Sequence, residues 1–140
     1  MRFSIFILLL LTLNSCFHGN RLDEVNYTRL FHGGQSRLWL VNTSQIGLED
    51  EQKTDRFKNE VLVFYDDGTV VLSDLAELYQ GQGKKGTYSV YSSNKEIDIR
   101  FGNERWFYTF EIKDEHYLVL SPNEGSSTSF MIYLSTIPEL

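Results

Sequence analysis

From Ser36 onward the chain divides into eight short runs of β-branched and aromatic residues: SRLWLVNT, NEVLVFY, TVVLSDL, GTYSVY, KEIDIRF, RWFYTFEIK, HYLVLS and TSFMIYLS. Runs of this make-up read as strands, and turn signals cut them at nearly even intervals. Between the second and third runs, Asp66-Asp67-Gly68 supplies a glycine for positive φ and an aspartate that tolerates it. Ser92-Ser93-Asn94, Gly102-Asn103-Glu104 and Lys113-Asp114-Glu115 serve the same purpose further on. Connections this tight join neighbouring antiparallel strands, so the chain reads as a meander. A meander of eight strands leaves two open edges unless it closes, and a closed eight-stranded barrel has an interior just wide enough for side chains or one small ligand. The expected fold is all-β, an eight-stranded antiparallel up-and-down barrel.

Alternation within the runs assigns inside and outside. Ile97, Ile99 and Phe101 alternate with Glu96, Asp98 and Arg100, and Trp106, Tyr108, Phe110 and Ile112 alternate with Phe107, Thr109, Glu111 and Lys113. The apolar sets should point inward. Trp39, Tyr88, Trp106, Tyr108 and Phe110 are therefore candidates to line either a ligand cavity or a filled core. The connection from Asp74 to Lys85 is longer than the other turns and opens with a capping-box pattern, Asp74 to Glu77. Leu75, Leu78 and Tyr79 would share one face of its helical turn, either packed down as a surface loop or forming a lid over the barrel mouth with Tyr79 towards a ligand. Val61-Leu62-Val63-Phe64-Tyr65 and Phe130-Met131-Ile132-Tyr133-Leu134 are apolar on both faces, which predicts an outward apolar patch suited to a partner.

The N-terminus has a different character. Arg2 precedes an apolar stretch from Phe3 to Leu13 that only Ser4 and Thr12 interrupt, and Asn14, Ser15 and Cys16 follow. Charge, apolar run and small residues in this order make a secretory signal, too short for a span of about 20 residues. Leu13-Asn14-Ser15-Cys16 resembles the bacterial lipobox, which implies removal of residues 1–15 and acylation of Cys16, by palmitate among other chains. Residues 16–35 would then be the lipidated N-terminus and a tether, with an end-to-end distance of about 25 Å if flexible. Within it, Asn20 and Asp23 could cap a short helix with Leu22, Val25 and Leu30 on one face. Residues 36–140 form the barrel domain. Cys16 is the single cysteine, so no disulfide can form within the chain and the domain depends on its core.

A lipobox signal, then Trp39 in Arg37-Leu38-Trp39-Leu40-Val41, then Val63-Phe64-Tyr65-Asp66-Asp67-Gly68-Thr69-Val70, Gly86-Thr87-Tyr88-Ser89-Val90 and Tyr117-Leu118-Val119-Leu120 resemble bacterial lipocalin-like lipoproteins in their order. The resemblance spans about residues 36 to 135. One difference is that Arg37 stands two residues before the tryptophan, where secreted lipocalins carry glycine. The resemblance implies a lipid-anchored protein of the bacterial cell envelope, more specifically of the outer membrane, with its domain in the periplasm or at the cell surface.

Composition narrows the partners. The 13 Lys plus Arg, less Arg2 once the signal is removed, stand against 19 Asp plus Glu and leave the mature chain at minus 7. No long basic run remains, so nucleic acid is not an expected partner. The chain has no Gly-x-Ser-x-Gly elbow and no glycine-rich strand-to-helix loop, and an enzyme is not expected. Asp114-Glu115-His116 and Asp66-Asp67 are turn chemistry before they are metal ligands, so neither a metal nor a cofactor is expected. Two functions are left open: a barrel that binds a small lipophilic molecule, or a solid-cored barrel that binds another envelope protein as an assembly factor, inhibitor or immunity protein.

Overall fold

The computed structural model describes residues 25–46, 53–54 and 59–137, apart from the side chains of residues 42–46 and 53–54. The signal segment, Cys16 and the Asn20/Asp23 cap lie outside the described residues. The eight runs are strands β1 (Ser36–Ile46), β3 (Glu60–Tyr65), β4 (Thr69–Asp74), β5 (Lys84–Tyr91), β6 (Glu96–Phe101), β7 (Glu104–Asp114), β8 (Tyr117–Pro122) and β9 (Phe130–Thr136). Each pairs antiparallel with the next, and β1 pairs with β9 from Trp39↔Thr136 to Ile46↔Phe130. The sheet therefore closes into an all-β barrel of eight strands, and closure removes the edges that an open meander would expose. A further two-residue strand, β2 (Lys53–Thr54), pairs with Ser44 and Gln45 of β1. It has no alternating pattern of its own to announce it.

The turns use the residues that the sequence offers. Gly68 at φ 85° follows Tyr65 in a turn where the Gly68 N–H reaches the Tyr65 carbonyl at 3.2 Å. Asp67 accepts from the Thr69 N–H at 2.8 Å, and this backbone hydrogen bond foremost holds its carboxyl below the usual range. In the β7–β8 turn, Asp114 accepts from the His116 N–H at 2.7 Å.

Inside, Trp39, Leu62, Phe64, Val70, Tyr88, Ile97, Ile99, Phe101, Trp106, Tyr108, Phe110, Leu118, Leu120, Ile132 and Leu134 form one contiguous cluster. The segment read as a tether contributes to this cluster too. Residues Thr28–His32 form a helical turn, α1, stopped by Gly33 in the left-handed region at φ 67°. Asn26 Oδ1 accepts from the Thr28 N–H at 2.9 Å just ahead of that turn. Phe31 is fully buried, because α1 sits on the end of the barrel near the β3–β4 and β5–β6 turns and inserts that ring between Phe64 and Phe110. The second half of the supposed tether is thus a plug.

Candidate functional site

Trp39, Tyr88, Trp106, Tyr108 and Phe110 all stand inside the barrel, with relative exposures between 0 and 6%. Three of them spend their polar atoms locally: Trp39 Nε1 donates to the Phe31 carbonyl at 2.9 Å, Tyr88 donates its hydroxyl to the Tyr65 carbonyl at 2.7 Å, and the Tyr108 hydroxyl bonds Thr128. Burial, followed by the charges of Asp66 and Asp67, pushes the Tyr88 phenol up to about 12. The plug is tied in by the Tyr27 N–H to Ser92 Oγ at 3.0 Å and by Arg37 Nη1 to the Leu30 carbonyl at 3.0 Å. Tyr27 meets Phe110 edge-on at 5.7 Å. At this end the aromatic interior is occupied by the chain itself.

Tyr79 is elsewhere. It is 90% exposed and takes no part in the interior cluster. Asp74 does cap the four-residue turn α2 (Leu75–Leu78), accepting from the Ala76 N–H at 2.7 Å. Beyond α2 the chain folds back against the outside of β4. Ser73 Oγ donates to the Gln82 carbonyl at 2.8 Å, and Gly83 lies so close that a Cβ there would stand 2.6 Å from Val71 Cγ1. Val71 and Ser73 face outward, since Val70 and Leu72 are the residues packed on the core. The lid is therefore a flap on the outer wall, and Tyr79 borders an external groove of about 370 Å³ with Leu40, Asn59, Asp74, Leu75 and Ala76. A second groove, of about 290 Å³, lies where β1 and β9 separate, between Ser36, Arg37, Leu38, His116, Thr136 and Ile137. His116 there bonds Thr136 Oγ1 through Nδ1 at 2.9 Å, and its other ring nitrogen faces Glu115 at 3.3 Å. Among the described residues no three His, Cys, Asp or Glu side chains gather as a metal set.

The predicted outward apolar patch is not exposed. Val61 and Val63 point out of the barrel but are 0% and 7% exposed, and Val119 on β8 is buried as well. Tyr133 stacks on Tyr117 at 6.4 Å.

The outer wall of β5, β6 and β7 holds a set that sequence reasoning left as an ordinary wet face. Asp98 lies between Ser89 and Phe107 across the strands and is only 5% exposed. Its Oδ2 accepts from Arg100 Nη2 at 3.1 Å and from Arg105 Nε and Nη2 at 3.0 and 2.9 Å, whereas Oδ1 is buried with no partner. Burial pushes this carboxyl up, but the hydrogen bonds and charges of Arg105 and Arg100 together outweigh it and hold the carboxyl below the usual range. The Arg105 guanidinium lies over the Phe107 ring at 4.4 Å, close enough for a cation–π contact. The signal for this set was in the hairpin: a Gly102-Asn103 turn brings Arg100 opposite Arg105, two like charges that need an anion between them.

No protein-family model and no curated protein matches the sequence. Among solved structures the chain is similar to a DUF4847-family protein from Bacteroides vulgatus, with a TM-score of 0.56 over 82% of this chain and 100% of that one. The two are 14% identical, so the likeness is one of fold.

Proposed function

We propose that the chain is a lipid-anchored envelope lipoprotein whose barrel is a protein-interaction module and not a carrier of a small lipophilic molecule. One observation carries this reading: the aromatic residues that could have lined a cavity pack against one another and against Phe31. A ligand pocket of ordinary kind is a concavity of about 300 to 1,000 Å³ that envelops its occupant. The two grooves described above, at about 290 and 370 Å³, stand at or just below the lower end of that range and lie on the outside of the barrel, next to exposed Tyr79 and Ile137, where a partner's surface could reach them. Binding without turnover is the proposed activity. Anchoring through acylated Cys16 follows from the lipobox resemblance and would keep the domain at a bacterial membrane, with a second envelope protein as its partner.

The test is native mass spectrometry of the delipidated domain purified from its own envelope, run beside an affinity pull-down. A stoichiometric protein partner and a bare domain mass are expected. A co-purifying lipophilic mass would return the barrel to the carrier class.

A further inference from the structure

The Asp98 set has an energetic peculiarity. Elsewhere on the outer wall, the buried positions are uncharged, valine at 61, 63, 71 and 119 and serine at 73, so they cover the sheet without desolvating a charge. Position 98 instead buries a carboxylate with one oxygen unpartnered, and such an arrangement is commonly no more stable than a hydrophobic replacement of similar volume. The carboxylate does fix the two arginines. Arg105 is held by two nitrogens on Oδ2 and by the Phe107 ring beneath it, yet its side chain remains 39% exposed, and that of Arg100 61%.

Across the strands, Thr87, Arg100 and Arg105 form one outward row, Ser89, Asp98 and Phe107 the next, and Tyr91, Glu96 and Thr109 the third. Tyr91 is 48% exposed and Phe107 half-buried. Counting these nine residues, two cations face two anions, one of which, Asp98, is buried beneath them. The nine sum to zero, but Glu96 stands in the far row, so the arginine row, net of Asp98, carries one positive charge in a chain of net charge minus 6, with aromatic surface directly beside it. Arginine and tyrosine are the residue types that dominate binding energy at protein interfaces, and side chains already immobilised lose less entropy on binding.

We propose that this face is the docking surface for an acidic protein segment, whose carboxylates pair with Arg100 and Arg105 while a neighbouring apolar side chain lies on Phe107 and Tyr91. Asp98 is the positioning residue that aims the arginines. The inference rests on the interaction reading above and adds the wall used and the chemistry of the partner.

The test uses the full-length lipoprotein in its own membrane, with a photo-crosslinking benzoylphenylalanine placed at Thr87 or Thr109 on this face, or at Ser36 on the β1 wall. Adducts from Thr87 and Thr109 should map by mass spectrometry to a carboxylate-rich protein segment. They should fall at least tenfold in the R100E/R105E double variant and weaken as salt is raised. Asp98→Asn should reduce them similarly while leaving a cooperatively unfolding β-sheet protein, because the arginines it releases are already solvated. Adducts from Ser36 alone would overturn this face and leave the interaction reading standing. Adducts to phospholipid from Thr87 and Thr109 would assign the face to the membrane instead. Full crosslinking in R100E/R105E would also overturn the proposal, and the lack of any protein adduct at all three positions would remove the interaction reading with it.

Discussion

The plug is the feature on which the closed interior depends, and Phe31→Ala tests it. Phe31 is fully buried, and moving such a ring out of water contributes about 1.5 to 3 kcal/mol. Its edge-on contact with Phe110 at 5.2 Å and tilted contact with Phe64 at 5.3 Å add about 0.5 to 1.5 kcal/mol each. The substitution should therefore cost about 3 to 5 kcal/mol, in the range for buried phenylalanine truncated to alanine. A five-residue helical turn has no stability of its own, so a loosened α1 would also release Tyr27 and the bonds to Ser92 and Trp39 Nε1. Urea unfolding of the delipidated domain, followed by tryptophan fluorescence and circular dichroism, measures this as a fall in midpoint at nearly constant slope. The vacated space is apolar, so benzene should bind the variant and recover part of the lost stability. A cost below about 1 kcal/mol would mean that α1 is not docked in solution, and the filled-interior reading would fall with it.

Trp106→Ala should cost about 3 to 5 kcal/mol by the same denaturation, since Trp106 is 2% exposed and packs edge-on against Phe101 at 5.2 Å; a neutral result would reverse the inside and outside of β7. Tyr88, with its phenol raised from 10.0 to about 12 in the folded chain, contributes stability that is complete below pH 10 and lost as pH rises from there through about 12. Tyr88→Phe should flatten that alkaline slope, and an unchanged slope would place the phenol in water. Cys16→Ser should abolish incorporation of radiolabelled palmitate and release the protein from the membrane fraction; unchanged membrane partition would end the lipoprotein proposal.

The barrel was legible because its strands announce themselves locally. Period-two alternation in residues 95–101 and 105–113 assigns Ile97, Ile99, Trp106, Tyr108 and Phe110 to the inside, where they are found. Short turns such as Asp66-Asp67-Gly68 leave the neighbouring strand no other place to go. What was not legible depends on contacts remote in sequence. Nothing in YTRLFHGG shows that Phe31 meets Phe64 and Phe110, because one turn of helix shows no periodicity and Gly33 and Gly34 read equally well as linker. For Tyr79 the sequence allows both a packed surface loop and a lid, for a related reason. Its helical turn was correctly marked by Asp74, but whether a long connection covers the mouth or the outer wall is set by Ser73 reaching Gln82 and by the close approach that only Gly83 allows. Asp98 was read as wet because alternation reports which face a residue takes, not what its neighbours then place over it.

Anchoring and plugging have a joint geometric consequence. If Cys16 carries the proposed lipid, eleven residues lead from it to Tyr27, and a chain of that length reaches at most about 36 to 40 Å. Tyr27 is fixed to Ser92 and Phe110 at the plugged end, so under the proposed anchoring that end would be the one tethered to the membrane. The side walls and the opposite end, with exposed Tyr79, would then be the surfaces left open to a partner. A carrier oriented this way would have its mouth nearest the lipid source blocked by its own Phe31, whereas a binder that works through its outer wall loses nothing by the plug. On that proposal α1 would pass the tether's pull to the barrel through a buried ring and three hydrogen bonds to its backbone, from Tyr27 to Ser92 and from Arg37 and Trp39 to the Leu30 and Phe31 carbonyls.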